Sequence, residues 1–193
     1  MERVGLRQGI LYAIALGVVA VVIFGLLHMR QPKPEQLNTY SSATYGFSAA
    51  YPEGFVVNEN YSYTGFGDEG TAIPGVSFTV PPQYAQGTNL SSDSHVSVEV
   101  YRGTGTTCRA KVFLAGEQID PNALNAQVNG AGAGNFYEES VYAIEGSSPC
   151  TAVRFLIHST NINNYPEGAV REFNKAEVLQ LFETIRRSVK LTR

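Results

Sequence analysis

Tryptophan is absent from these 193 residues, histidine occurs three times and cysteine twice. Those shortages exclude whole classes of chemistry. A zinc or copper centre draws its ligands from His and Cys at short repeated spacings, and no HxH, HExxH or CxxC is present, so no metal and no cofactor is expected. Charge is also scarce, at 16% of the chain, and cations are scarcest in the body. From Glu35 to Glu167 thirteen acidic residues stand against four basic ones, Arg102, Arg109, Lys111 and Arg154. A nucleic-acid surface needs clustered Lys and Arg on one face, so nucleic acid is excluded as a partner. With no Trp, aromatic surface comes from eleven Tyr and ten Phe.

What the chain does have is one long apolar run. Ile10 to Leu27 contains no charge, no Pro and no Asn or Gln. As a helix it reaches about 27 Å, close to the hydrocarbon thickness of a bilayer. It is apolar all round, unlike the striped helices of soluble proteins. The basic start MERVGLR suits a secretory signal, but the apolar run is too long and Leu27-His28-Met29-Arg30 has no small pair for cleavage. Residues 1–29 are therefore expected to be an N-terminal tail and uncleaved transmembrane anchor. Residues 30–39, with Pro32 and Pro34, read as an extended tether, and 40–193 as one extramembrane domain.

Orientation does not follow from charge, because Arg3 and Arg7 before the span balance Arg30 and Lys33 after it. Cysteine decides it. Cys108 and Cys150 both follow the span, and two cysteines in a tethered domain suit one disulfide in an oxidising compartment; the alternative is two separate buried thiols. The expectation is a single-pass protein with its N-terminus cytoplasmic and its domain outside, periplasmic or extracellular.

Within the domain the period is mostly that of strands. Bulky and small residues alternate from Tyr45 to Tyr51 before Pro52, and Phe55-Val56-Val57 reads as a short partner strand. Val76, Phe78 and Val80 alternate, as do Val96, Val98 and Val100 with His95, Ser97, Glu99 and Tyr101 on the other face. Residues 108–114 suit a short helix capped by Thr106 or Thr107, and 121–127 another turn or two. Residues 137–144 and 150–159 form a hairpin about Gly146-Ser-Ser-Pro149, with Ala152 to Ile157 a central strand. A closing helix starts at a capping box of Asn174 and Glu177, with Val178, Leu181, Phe182, Ile185 and Val189 on one face. Arg186, Arg187, Lys190 and Arg193 gather at its C-terminal end, where cations favour the helix dipole. The fold class is α+β: an antiparallel sheet packed with helices, the longest helix C-terminal.

No catalytic constellation is legible. Asp93-Ser94-His95 has the letters of a triad, but strand neighbours point to opposite faces and a working triad converges from separate segments. Glu138 and Glu139 are likewise split between faces. Asn129-Gly-Ala-Gly-Ala-Gly-Asn135 leads into a strand rather than out of one into a helix, so it reads as a flexible or tight-turning loop, not a phosphate cradle. The candidate binding residues are Tyr61, Tyr63 and Phe66 in a Gly-rich loop over 58–71, because Tyr offers contact area at low entropy cost; the plainer reading is that the rings cover the sheet.

The opening Tyr45-Gly-Phe47-Ser and Tyr51-Pro52, together with the closing amphipathic helix, resemble the PsbP-like domains. That resemblance implies an antiparallel sheet between helices and a non-catalytic docking or accessory module, and it transfers no functional residue. The expected function is thus a membrane-anchored accessory or binding domain with an unidentified protein partner. A small-ligand binder or hydrolase using His95 and His158 is the alternative, and it requires the two to share one site. A pilin-like assembly subunit ranks last, since that class carries a Glu early in its apolar helix and Ile10 to Leu27 has none.

Overall fold

Alternating apolar residues build two antiparallel sheets in the computed structural model, which describes residues 36–65, 72–114 and 118–192. The smaller sheet has the order β1-β2-β9, from Leu37–Ser42, Phe47–Pro52 and Lys190–Leu191. The larger has the order β3-β4-β5-β8-β7-β6, from Val56–Tyr63, Ile73–Thr79, His95–Tyr101, Cys150–Thr160, Asn135–Ala143 and Asn125–Gly132. A short helix α1 (Pro82–Ala85) follows β4, and the long helix α2 (Lys175–Ser188) precedes β9. No helix among the described residues is long and apolar enough to cross a membrane; Ile10 to Leu27 lies outside them, as does Phe66.

The α+β architecture stands, with the longest helix near the C-terminus, and several elements differ from expectation. The expected tether ends earlier, because residues 37–39 already pair with β2. Phe55 precedes the strand, Val56-Val57 begins an eight-residue one, and its partner is β4 rather than the strand before it. The helix expected over 108–114 shrinks to a 3-10 turn at Ala110–Val112 with no side-chain cap. Of the turns expected over 121–127 one is present at 121–122, while 125–127 open β6, whose ladder with β7 continues into the glycine run. That run is indeed tight-turning: Gly132 pairs with Asn135, and Ala133 and Gly134 take φ of 50° and 80°. Two left-handed residues in succession make the turn whose twist suits a hairpin.

Each face of the large sheet buries a different cluster. On the helix face Val76, Phe78, Val96, Val98, Val153, Phe155 and Ile157 meet Val178, Leu181, Phe182 and Ile185 of α2. Phe155 packs edge-on against Phe182 at 5.4 Å, and Tyr40 and Tyr51 of the small sheet close over Phe78 at 5.8 and 5.3 Å. Asn174 caps α2 by accepting from the Glu177 backbone N–H, as its sequence predicts.

On the opposite face a second cluster joins Ile73, Val141, Ala143 and Ala152 to Ala110, Phe113 and Leu114 of the segment before β6. Cys108 and Cys150 form the expected disulfide there, with Cα atoms 5.0 Å apart across 42 residues of sequence. This bond ties the covering segment to the first residue of the central strand β8. Closing a loop of that length stabilises by about 4 kcal/mol in the chain-entropy model. Replacing both cysteines by Ala should lower the unfolding free energy by roughly 3–4 kcal/mol in urea titrations, with no effect of reductant on the variant.

Candidate functional site

The site lies on the disulfide face and begins with an arginine where the sequence pattern has no room for one. Arg154 interrupts the apolar run of β8 and is fully buried. Register brings its partners. Val141 of β7 and Ser97 of β5 flank it, so Glu139 and Glu99 share its face on either side. Its Nε and Nη2 donate to the two Glu99 carboxylate oxygens at 2.7 and 2.9 Å, and Nη1 donates to Glu139 at 2.5 Å. Nη2 also donates to the Phe113 carbonyl at 2.5 Å, which the disulfide-held segment supplies. The Tyr63 ring lies 3.4 Å from the guanidinium carbon, a cation–π contact.

The expected binding tyrosines are part of this cluster. Tyr61 and Tyr63 stand on β3, not in a loop. The Tyr61 hydroxyl donates to Glu99 at 3.2 Å and the Tyr63 hydroxyl to Glu139 at 2.9 Å. Ser97 Oγ donates a further bond to Glu99 at 2.8 Å. Burial raises both phenol pKa values well above their ordinary value, reinforced at Tyr61 by the Glu99 charge. Burial pulls the Arg154 guanidinium downward, but the bonds to Glu99 reverse that and its net shift is upward. Tyr61 and Tyr63 therefore stay neutral and Arg154 stays charged at neutral pH. Gly75 faces Tyr61 across the β3–β4 ladder, and a Cβ there would come within 2.2 Å of the Val98 carbonyl.

The two histidines do share a face. His95 pairs with Leu156, and His158 lies two residues further along β8. Asp93 touches both: its carbonyl accepts from His95 Nδ1 at 2.7 Å, and its carboxylate lies 2.8 Å from His158 Nδ1. Tyr137 stacks on His158 at 4.4 Å, and Tyr61 meets His95 edge-on at 5.1 Å. His95 Nε2 is buried and has no hydrogen-bond partner among the described residues. Burial depresses the His95 pKa, partly opposed by the Asp93 carbonyl bond.

Ser94 is no nucleophile for them. It is fully buried, and its hydroxyl donates to the His158 carbonyl and accepts from the His158 N–H. Glu138 and Glu139 do separate as expected, Glu138 pairing with Lys175 on the helix side while Glu139 meets Arg154. Among the described residues no three His, Cys, Asp or Glu side chains are grouped to hold a metal ion.

Sequence reasoning missed Arg154, Glu99 and Glu139 as a unit. A signal existed, since an Arg inside a central apolar strand requires a buried carboxylate. Which carboxylates answer it is a matter of strand order, which no local pattern reports.

Two outcomes follow. Arg154→Met or Glu99→Gln alone should cost about 3–5 kcal/mol by urea unfolding, because each strands a buried charge, while the double variant Arg154→Met/Glu99→Met should cost much less than the sum. For His95 the sign is that of a depressed histidine. Above pH about 6.5 both folded and unfolded forms are neutral and its stability contribution is intact. As pH falls below that value the unfolded chain binds a proton that folded His95 resists, so stability is lost. Urea unfolding at about pH 7.5 and about pH 5 should show this loss in the native chain and a smaller one in His95→Gln.

No family model matches the chain, and no curated protein does. Among solved structures it is similar to the solution structure of cyanobacterial PsbP (CyanoP) from Synechocystis sp. PCC 6803, at 14% sequence identity and a TM-score of 0.34. That match covers 84% of this chain and 95% of the other.

Proposed function

We propose that this chain is a single-pass membrane protein whose domain acts as a non-catalytic binding module on the outer side of the membrane. The observation that carries the reading is the Cys108–Cys150 disulfide in a domain that follows an 18-residue uncharged apolar run. Disulfides persist in oxidising compartments, and a run of that length suits a bilayer span. The resemblance of the domain's two ends, Tyr45 to Pro52 and the closing helix, to PsbP-like domains implies the same kind of accessory module.

Two features favour binding over catalysis. The strongest donors and acceptors of the disulfide face are spent on one another, which makes a rigid plate instead of a reactive cleft. Beside it the rim is open: Tyr137 is 37% exposed and stacked on His158, and the Asp93 carboxylate is largely in solvent. An aromatic ring held by stacking offers contact area with little ordering cost. We assign the protein contact to this rim, with Tyr61 and Tyr63 as the supports beneath it. The second reading, a small-ligand binder at His95 and His158, draws on the bonds that Asp93 makes to both rings.

Membranes from cells making the full chain test the reading. The chain should resist extraction by alkaline carbonate, lose its domain to protease added from outside, and yield a specific adduct from a photocrosslinker at Tyr137. A soluble polypeptide beginning near residue 30, or free thiols at Cys108 and Cys150 in unreduced cells, would overturn the address. Absence of any protein adduct, with imidazole resonances of His95 and His158 shifting on addition of small acids, would favour the ligand reading.

A further inference from the structure

The large sheet has two edges, and they are finished differently. β3 is blunted: its register shifts between Asn58 and Tyr61, Glu59 and Asn60 sit in the irregularity, and the Asn60 N–H is turned to Asn58 Oδ1 at 3.0 Å. Bulges and charges of this kind keep an edge from pairing with another chain. β6 has none of these devices. Its eight residues, NAQVNGAG, contain no charge and no Pro and pair with β7 without a break.

The hairpin fixes which backbone groups of β6 face outward. In a two-residue hairpin the closing pair, Gly132 and Asn135, exchanges both bonds, so Gly130, Val128 and Ala126 also turn toward β7. The Leu124 carbonyl, accepting from the Ala143 N–H at 2.8 Å, continues that alternation. Asn125, Gln127, Asn129 and Ala131 therefore present their N–H and C=O groups away from the sheet. Just upstream, the outward carbonyl of Ala123 accepts from the Ala110 N–H at 2.9 Å, but among the described residues nothing does so from 125 to 131.

We propose that β6 is a self-association edge, where two copies of this chain pair β6 with β6 antiparallel and join their large sheets into one. A two-fold axis through an antiparallel pair stands perpendicular to the sheet, so residues opposite each other share a face. Centred on Val128, it sets Val128 against the partner's Val128 and Gln127 against the partner's Asn129. Valine meets valine, amide meets amide, and no like charges are opposed because the strand carries none. The outward groups at 127 and 129 complete the ladder across the axis. Tyr137 stands one strand in from this edge, opposite Gly130, but the ladder uses backbone groups of β6 alone, so the inference needs neither the Tyr137 contact nor the membrane anchor.

Sedimentation of the full chain in density-matched detergent, over a range of concentrations, tests it. The native chain should form dimers. Asn129→Pro removes one outward N–H while leaving the bonds to β7 intact, and Gln127→Lys places a charge on the edge. Each should raise the dimer dissociation constant by about tenfold or more with unchanged far-UV circular dichroism. Val128→Cys should give a self-adduct on mild oxidation. A native chain that stays monomeric, or a dimer that both variants leave intact, overturns the proposal. So does a Val128→Cys adduct with a different protein in whole membranes in place of the self-adduct, which would give the edge to that protein.

Discussion

Arg154 is the constraint around which the rest is arranged. Moving a guanidinium out of water costs several kcal/mol even after the protein relaxes, and only close, well-aligned carboxylates offset it. Here β5 supplies Glu99, β7 supplies Glu139, and the segment tied down by Cys108 supplies the Phe113 carbonyl. Three separate parts of the chain must be in place before this one side chain is satisfied. The cluster also locks register. A slip of one residue in β8 would turn Arg154 toward Phe182 and Phe155 toward the carboxylates, a double penalty that competing pairings do not escape.

The two faces of the large sheet consequently do different work. The helix face is packed by apolar side chains alone along the middle of α2, and its stability is that of ordinary burial. The disulfide face mixes an apolar patch with the ion cluster, and it needs the Cys108–Cys150 bond because the covering segment has little helix of its own, only a 3-10 turn. A small, irregular cover gains more from a covalent tie than a long amphipathic helix would.

This arrangement bears on function through what it leaves over. Tyr61 and Tyr63 look like contact residues by composition, yet their hydroxyls are spent on Glu99 and Glu139. The groups that face outward are Tyr137 and Asp93 at the rim and the backbone of β6 at the edge. Tyr137 and the β6 backbone are presented by regular strands and Asp93 by the turn just before β5, so binding there requires little reordering of the domain.

Local pattern accounts for much of this molecule. The valine alternation of β4 and β5, the hairpin about 146–149, the Asn174 cap and the apolar face of α2 were all legible, because a period or a cap is written within a few residues. The weak strands were not. Residues 121–127 read as helical turns and 129–134 are rich in Gly, yet 125–132 join a ladder because β7 stands beside them. The first half of β1, residues 37–39 of the polar sequence LNTYSS, falls in what reads as tether and joins a sheet because β2 stands beside it. The sequence alone determined the class of the fold and offered the cysteine pair, and it carried an arginine in an apolar strand as a signal that went unread, since each rests on residue type and spacing. Only the tertiary structure decided which carboxylates meet that arginine, that both histidines touch Asp93, and which sheet edge no described residue covers, because strand order brings together residues that no local spacing connects.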